Sequence, residues 1–305
     1  MRVVLRLLPF AVILALAAPS SAATPGFAFL NVPEGARGAA LGGAYASVAG
    51  GAEAAFWNPA ALAGMKGAQV VGSHVEFLSK LRHEQAALAG HVWGGGLAAS
   101  VRAMYSEPIP QTDDLGNVVG TFGTDDVELG LAYGHHVAAG VSFGGSAQVV
   151  HERLADVSAT TYAFGLGSTF EPARWPGLRF ALTGDHLGPA AHYTLDGVRG
   201  EPVGLPAALQ AGATYVHPVG SGFALRGALE TRMTSGRAGV AMLGAELAHA
   251  PSGLSLRAGA RMNDNESSLA FGAGCAVQSL RVDYAFVPFR LDLGDTHRFS
   301  LSAQF

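Results

Sequence analysis

The chain has 305 residues, of which 49% are hydrophobic, only 14% are charged and 42 are glycine. This composition excludes a disordered or heavily solvated chain. The formal net charge is −4 and no basic patch occurs, so nucleic acid is not expected as a partner. Cys275 is the only cysteine, which excludes an internal disulfide and a cysteine-based metal cluster.

Residues 1–23 are predicted to be a cleavable export signal. Two arginines lie within the first six residues, the apolar run Leu7–Ala18 follows, and small residues come after it. Cleavage after Ala22 or after Ala23 fits equally well. A transmembrane anchor fits less well, because the apolar run falls short of the roughly 20 residues that a spanning helix needs. The mature chain is therefore expected to be exported.

A stretch rich in glycine and alanine, Phe27–Gly64, shows no strand-like alternation. Near its end, Asn58 suits the N-cap of a short helix and Pro59 suits the first helical position, where the missing N–H costs nothing. Gly64 then ends the turn. We predict that residues 24–67 form a compact plug with short helices. The alternative is a loop and helix packed on a soluble domain.

Residues 68–305 show apolar and polar residues in alternation, for example over Leu97–Tyr105, Val127–Tyr133 and Val282–Phe286. We count about fourteen such segments of about ten residues each, which is typical of a transmembrane β-barrel. A soluble β-sandwich or β-helix would have the same period. The even number of segments and a polar face with little lysine favour the membrane. We predict an all-β fold: a closed transmembrane antiparallel β-barrel of about 14 strands with an N-terminal plug.

The connections between these segments alternate between short and long. Val92–Gly96 and His135–Gly140 are short, whereas Ser106–Thr124 and Leu187–Gly204 are longer and more polar. Outer-membrane barrels have short periplasmic turns and longer extracellular loops. The pattern therefore predicts a barrel in the outer membrane of a diderm bacterium, with outer-membrane lipid around it.

Three charged residues, Arg226, Glu230 and Arg232, lie on one alternating segment and are candidate lumen charges. Their expected role is mutual pairing and contact with the plug inside a narrow interior. A selectivity filter is the alternative. Arg37 in the plug is a candidate to contact such carboxylates.

No motif in the sequence specifies a catalytic, cofactor or metal site. Ser146 lacks the second glycine of a nucleophile elbow. His135 and His136 are adjacent, so they would point to opposite faces of a strand. Asp113 and Asp114 fit a polar turn better than a calcium loop. The chain is therefore predicted to be a non-enzyme without a cofactor or metal site.

The final segment, Thr296–Phe305, is amphipathic and ends on an aromatic residue. Phe299, Leu301 and Phe305 share its apolar face. This pattern looks like the signal that the barrel-assembly machinery of the outer membrane reads, so that machinery is an expected partner.

Several stretches, taken in chain order, resemble the PorV/PorQ family, whose members are barrels of the FadL type. The plug residues that carry the likeness include Arg37, Gly42, Gly43, Trp57, Asn58 and Pro59. Further matching blocks are Ile109–Phe122, Asp185–Gly188, Leu205–Ala207, Asp283–Phe289 and Leu293–Leu301. The resemblance implies a fourteen-stranded outer-membrane barrel with a plug.

The resemblance implies two functions. Some members serve type IX secretion, so the first expectation is an accessory or cargo-handling barrel for protein secretion to the cell surface. The alternative is a FadL-like channel that takes up hydrophobic small molecules. Apart from the resemblance, a structural barrel that scaffolds partner proteins is a third option. Export predicts co-purification with secreted cargo proteins that share a C-terminal sorting domain. Uptake predicts an apolar pocket for a hydrophobic ligand in the lumen and a gap in the wall near the plug.

Overall fold

A computed structural model describes residues 25–76, 81–290 and 294–305. The predicted export signal, residues 1–23, lies outside these ranges. Within them, no helix combines the length and the apolar character that crossing a membrane requires.

Fourteen strands form a closed antiparallel barrel, which confirms the predicted fold class. Each barrel strand pairs with the next one along the wall, β18 pairs with β1, and β8 pairs with β9. The barrel strands are β1 (Gln69–Glu76), β2 (Leu81–Val92), β3 (Gly95–Ser106), β6 (Thr124–Ala138), β7 (Val141–Leu154), β8 (Val157–Phe170), β9 (Leu178–Leu187), β12 (Ala208–Gly220), β13 (Phe223–Thr234), β14 (Val240–His249), β15 (Leu254–Met262), β16 (Leu269–Val277), β17 (Leu280–Pro288) and β18 (Asp295–Gln304).

Two further hairpins lie in long connections. They are β4 (Ile109–Thr112) with β5 (Val118–Phe122), and β10 (Ala191–Leu195) with β11 (Val198–Val203). The sequence predicts only that these connections are longer and more polar than the short turns. The β10–β11 turn places Asp196 and Gly197 at φ values of 49° and 78°. Asp-Gly with both residues at positive φ favours a type I′ turn, so this hairpin had a local signal.

The two faces of the wall follow the alternation of the sequence. On β18, the large side chains of Phe299 and Leu301 are more than half exposed, whereas Arg298 and Ser300 point into the lumen and are buried. In a membrane, the exposed apolar side would contact lipid and the polar side would remain enclosed. The wall therefore separates an apolar exterior from a polar interior.

The two ends of the barrel differ in their connections. At one end the strands are joined by short turns, such as Trp93–Gly94 between β2 and β3 and Ser221–Gly222 between β12 and β13, and the C-terminus lies there. We call this the turn end. The opposite end carries both additional hairpins, and we call it the loop end.

The described residues before β1, 25–68, fill the interior as a plug. Their helical segments are short: 3-10 helices at Ala28–Asn31, Gly51–Glu53 and Pro59–Gly64, and α-helices at Ala36–Ala40 and Ala54–Trp57. Small residues dominate the plug, and many of its alanines are fully buried. Such residues let the plug backbone pack closely against the wall.

Candidate functional site

The plug runs through the lumen from the loop end to the turn end. At the loop end, the Gly26 N–H donates to the Gly204 carbonyl at 3.1 Å, and the Phe27 ring stacks on Tyr193 of β10. At the turn end, the helix Pro59–Gly64 packs on the wall so closely that a Cβ at Gly144 would lie 2.3 Å from the Pro59 carbonyl carbon. The plug therefore occupies the whole height of the barrel.

Arg37 contacts a carboxylate of the wall that the sequence did not identify. Its Nη2 lies 2.7 Å from Oε1 of Glu246 on β14. Glu246 is buried and also contacts Arg257 at 2.6 Å and Arg226 at 3.3 Å. Arg281 lies 4.0 Å from the same carboxylate, so Glu246 faces four guanidinium groups, and a buried charge requires such partners.

The three candidate lumen charges all face the interior, but they do not pair with one another in the contacts that the structure describes. Glu230 accepts hydrogen bonds from the Ala46 N–H at 3.1 Å and from the Ser47 N–H at 2.8 Å. Arg232 instead contacts Asp185 at 3.2 Å, and Arg226 contacts Glu246. Glu230 therefore anchors the plug backbone, while the two arginines belong to separate clusters.

The glycines of the plug motif allow a close approach between backbones. Gly42 has a φ of +66°, and a Cβ there would lie 3.0 Å from the backbone nitrogen of Ala260. Gly43 has a φ of +83°, and a Cβ there would lie 3.1 Å from the sulfur of Met242. A side chain at either position would combine backbone strain with a close contact.

Asn58 and Pro59 begin the helix at the turn end as the sequence suggested. The Asn58 Oδ1 accepts from the Ala60 N–H at 3.1 Å, and Pro59 occupies the first helical position. The Asn58 Nδ2 also donates to the carbonyls of Ala46 in the plug and Ser168 in the wall. Asn58 therefore connects this helix both to the rest of the plug and to the barrel.

A tyrosine and a glutamate form a short contact inside the plug. The Tyr45 hydroxyl donates to Glu53 at 2.5 Å, and the Tyr45 ring makes an edge contact with Trp57 at 5.3 Å between centroids. Burial raises the pKa of Glu53, and the hydrogen bond from Tyr45 partly opposes that rise. Burial and the neighbouring Glu53 raise the pKa of the Tyr45 phenol. These contacts join Tyr45 to the two helical segments that contain Glu53 and Trp57.

A second buried charge cluster, which sequence reasoning missed, lies between the plug and β3. The Arg102 Nη2 is 2.5 Å from Glu34 and 3.4 Å from Glu128. His186 lies 3.8 Å from Glu128 and has a φ of +54°. Arg102 was recognisable as an inward residue, and Glu128 lies directly opposite it on the neighbouring strand β6, but Glu34 comes from the plug. His186 sits in a β-bulge, which a regular alternation cannot predict.

A cavity of about 730 Å³ opens at the loop end above the plug. We call it the loop-end cavity. Phe29, Val32 and Ala39 of the plug form its floor, and Met104 and Ala270 lie in its wall. Its rim carries paired charges, including Arg237 with Glu266 and Arg261 with Asp264. The cavity therefore combines an apolar floor with a polar, mostly compensated rim.

Two smaller cavities open at the turn end. The first, of about 310 Å³, lies against β18 and β1 and is lined by Arg37, Ser300 and Ser302 among others. We call it the β18 cavity. The second, of about 560 Å³, is lined by Arg179, Val216 and residues of the turn between β8 and β9. We call it the β9 cavity.

The wall shows one main irregularity among the described residues. β3 pairs with β2 over its full length and with β6 from Gly95 to Tyr105, without a break. The register shifts where β8 meets β9, between Phe164 and Leu166. Beyond that point Gly188 packs against β8, so that a Cβ there would lie 2.1 Å from the Tyr162 carbonyl oxygen. On the loop-end side of this shift, the described pairings join β8 to β10 only at Ser158 and leave Ala159–Ala163 without a strand partner on β9 or β10.

The residues of the predicted assembly signal lie on the lipid side of the last strand. Phe299, Leu301 and Phe305 are exposed, and Phe305 ends the chain at the turn end. The Phe305 N–H donates to the Ala68 carbonyl at 2.8 Å, so its backbone continues the pairing with the start of β1.

Comparisons with solved structures show the same class of architecture. This chain resembles the CymD monoaromatic hydrocarbon channel, with 14% identity over 90% of this chain and 98% of that one, and a TM-score of 0.62. It also resembles the Pseudomonas putida toluene transporter TodX, with 12% identity over 89% and 98% of the two chains, and a TM-score of 0.61. A Pseudomonas aeruginosa FadL homologue is 14% identical over 89% and 98%, with a TM-score of 0.55.

These similarities define the fold as that of FadL-like outer-membrane barrels with a plug. No family model matches the sequence, and no curated protein sequence matches it. The structural neighbours give no support to the PorV/PorQ family in particular.

Proposed function

We propose that this protein is an outer-membrane channel that takes up small hydrophobic molecules. The observation that carries the proposal is the loop-end cavity, which lies between the outside and the plug. Its volume of about 730 Å³ falls in the range of ligand cavities, about 300–1,000 Å³. An apolar floor next to a few polar groups is the usual composition of such a site.

The structural neighbours support this proposal. Two of them are a monoaromatic hydrocarbon channel and a toluene transporter, and these are functions of those proteins. We extend to this chain only the general class of cargo, a small molecule with an apolar body. The same neighbours are channels, which supports a non-enzymatic role.

The proposal places the exposed apolar side chains of the wall in the lipid of the outer membrane. It also makes the barrel-assembly machinery a partner during insertion. The apolar exterior of the wall supports the contact with lipid. The exposed aromatic residue Phe305 on the last strand supports the role of the assembly machinery.

Protein export remains the second candidate, and it rests on the PorV/PorQ-like motifs of the sequence. A tagged barrel purified from its own outer membrane separates the two functions. We expect bound apolar molecules and no enrichment of secreted proteins with a shared C-terminal sorting domain. Enrichment of such proteins, without any bound small molecule, would favour export.

A direct binding experiment tests the cavity with a matched pair of variants on β14. Val240 faces the loop-end cavity, whereas Leu243 faces outward. We expect purified wild-type barrel and Leu243→Trp to bind toluene equally, because the substitution adds volume only on the lipid side. Val240→Trp adds it inside the cavity, so binding should be lost. Equal binding by all three proteins would place the ligand elsewhere and contradict the proposal.

A further inference from the structure

We propose that molecules leave the loop-end cavity through the plug, along the inner face of β18, and that residues Pro33–Ala36 form the gate. This inference rests on the proposed function, because it assigns the exit of the same channel. We call Pro33–Ala36 the septum.

The first observation is that the loop-end cavity and the β18 cavity are adjacent along one strand. Arg298 on β18 lines the loop-end cavity, and the next inward residue, Ser300, lines the β18 cavity. Successive inward residues of a strand are only about 7 Å apart. Beyond Ser300, the inward residues Ser302 and Gln304 continue the lining to the turn end.

The second observation is that wall side chains hold the septum by its backbone. Arg298 donates to the Pro33 carbonyl at 2.6 Å, and the Ala36 N–H donates to Ser300 Oγ at 2.8 Å. The Gly35 N–H donates to Gln85 Oε1 at 3.1 Å. The bonds from the Gly35 and Ala36 N–H groups each contribute modestly and can break and re-form. Glu34 of the septum also pairs with the buried Arg102 at 2.5 Å, so the opening movement has to keep this ion pair.

The third observation is the conformation of Gly35. Its φ of 65° and ψ of 152° lie in a region that essentially only glycine adopts. The residue joins the extended part of the septum to the helix Ala36–Ala40. Glycine also has easy access to other backbone conformations, which suits a hinge.

The β9 cavity is a poorer exit because the plug is thick on that side. On β13, Arg226 lines the β9 cavity and Arg232 lines the loop-end cavity. Between them lie the inward residues Ala228 and Glu230, and Glu230 binds the plug backbone. These positions are six residues apart, a distance of about 20 Å along a strand.

The polarity of the two cavities makes the loop-end cavity the binding site and the β18 cavity a site of release. The loop-end cavity has the apolar floor, whereas hydroxyl, amide and charged groups line the β18 cavity. An apolar molecule binds the second cavity more weakly than the first. Conduction requires sites that a molecule can leave as well as enter.

Single cysteines distinguish the two exits, and the background variant Cys275→Ala removes the natural thiol. Ser302→Cys places a thiol in the β18 cavity, and Val216→Cys places one in the β9 cavity. Cells that carry each barrel are treated with a small methanethiosulfonate reagent, labelling is checked by mass spectrometry, and toluene uptake is measured. We expect labelling to abolish uptake through Ser302→Cys and to leave uptake through Val216→Cys intact.

A pair of serine variants tests the gate itself. Ser300→Ala removes the acceptor of the Ala36 N–H and the wall hydrogen bond from Ser300 to Ser73, whereas Ser168→Ala removes only a wall hydrogen bond, to the Leu182 carbonyl. Loss of one such hydrogen bond should raise the open population, and hence toluene uptake, about fivefold for Ser300→Ala. Ser168→Ala should match the wild type.

These experiments distinguish failure of the proposed exit route from failure of the proposed uptake function. Block at Val216→Cys, block at neither position, or a Ser300→Ala barrel no faster than wild type would overturn the proposed route. If unlabelled wild-type barrel gives no toluene uptake above that of barrel-free cells, the proposed function itself fails.

Discussion

At the scale of single residues, Glu246 makes more ion pairs than any other described carboxylate of the lumen. Its carboxylate contacts Arg37, Arg226 and Arg257. We expect Glu246→Gln to destabilise the folded barrel by about 3–5 kcal/mol, because it leaves the buried Arg37 without its carboxylate, while Arg257 keeps Asp283. The measurement is the temperature at which the folded band disappears in semi-native electrophoresis.

The control for this prediction is an exposed carboxylate. Glu84 contacts His74 on the outer side of the wall, where both side chains are well exposed. Glu84→Gln should shift the transition little, since exposed ion pairs contribute about 0–1 kcal/mol. Equal shifts for the two variants would show that the contacts of Glu246 do not stabilise the barrel.

A second prediction at the residue scale concerns Gly42. Gly42→Ala should destabilise the barrel by about 1–3 kcal/mol, since it places a Cβ at positive φ beside the Ala260 backbone. Gly50→Ala is the matched change, because Gly50 is extended and a Cβ there meets no atom within 4 Å. The same electrophoretic transition compares them. If Gly50→Ala is as unstable as Gly42→Ala, close packing at Gly42 is not the cause.

At this scale, the features that depend on neighbouring residues in the chain were predictable from the sequence. Asn58 and Pro59 begin their helix through contacts with immediate neighbours. The partner of Arg37 was not predictable, because Glu246 lies 209 positions away along the chain. The pairing of Arg102 with Glu34 likewise depends on the path of the plug through the lumen, which no local pattern encodes.

At the scale of elements, a variant of the last strand, β18, can distinguish folding in detergent from assembly in the outer membrane of cells. Phe305 exposes its ring while its backbone pairs with Ala68. We expect Phe305→Ala to refold in detergent like the wild type but to reach the outer membrane of cells at a much lower level. Quantitative blotting of outer-membrane fractions measures the level.

The neighbouring position supplies the control for this prediction. Gln304→Ala changes the inner side of the same strand end and should assemble normally. A normal level of Phe305→Ala in the outer membrane would show that the terminal aromatic residue is not part of an assembly signal.

The plug helix at the turn end gives another prediction at this scale. Asn58→Ala removes the cap and both donor contacts, to Ala46 and to Ser168. We expect it to loosen this end of the plug and raise the potassium chloride conductance of single barrels in planar bilayers. Asn58→Asp keeps the capping oxygen but loses the donors, so its conductance should be intermediate. Unchanged conductance in both variants would contradict a sealing role.

The barrel strands were predictable because lipid on one side and plug on the other impose a period of two on every strand. The hairpins β4–β5 and β10–β11 lie outside that constraint, so alternation did not reveal them. The β10–β11 hairpin has one local signal, the turn residues Asp196 and Gly197. The bulge at His186 was not predicted, because the alternation on either side of it indicates an unbroken strand.

At the scale of the whole molecule, the number of strands and the closure of the barrel followed from the sequence, whereas the function did not. Length and alternation leave few ways to satisfy the backbone in a membrane, and the closed barrel is one of them. The cavities depend on how the plug packs against many strands at once. Their position therefore became visible only in the folded structure.

Toluene uptake by living cells tests the proposed channel most directly. Cells that lack this barrel are compared with the same cells after the gene is restored, at concentrations where entry limits uptake. The account predicts faster uptake with the wild-type barrel and with Leu243→Trp, and uptake at the barrel-free rate with Val240→Trp. Equal rates with and without the wild-type barrel would contradict it.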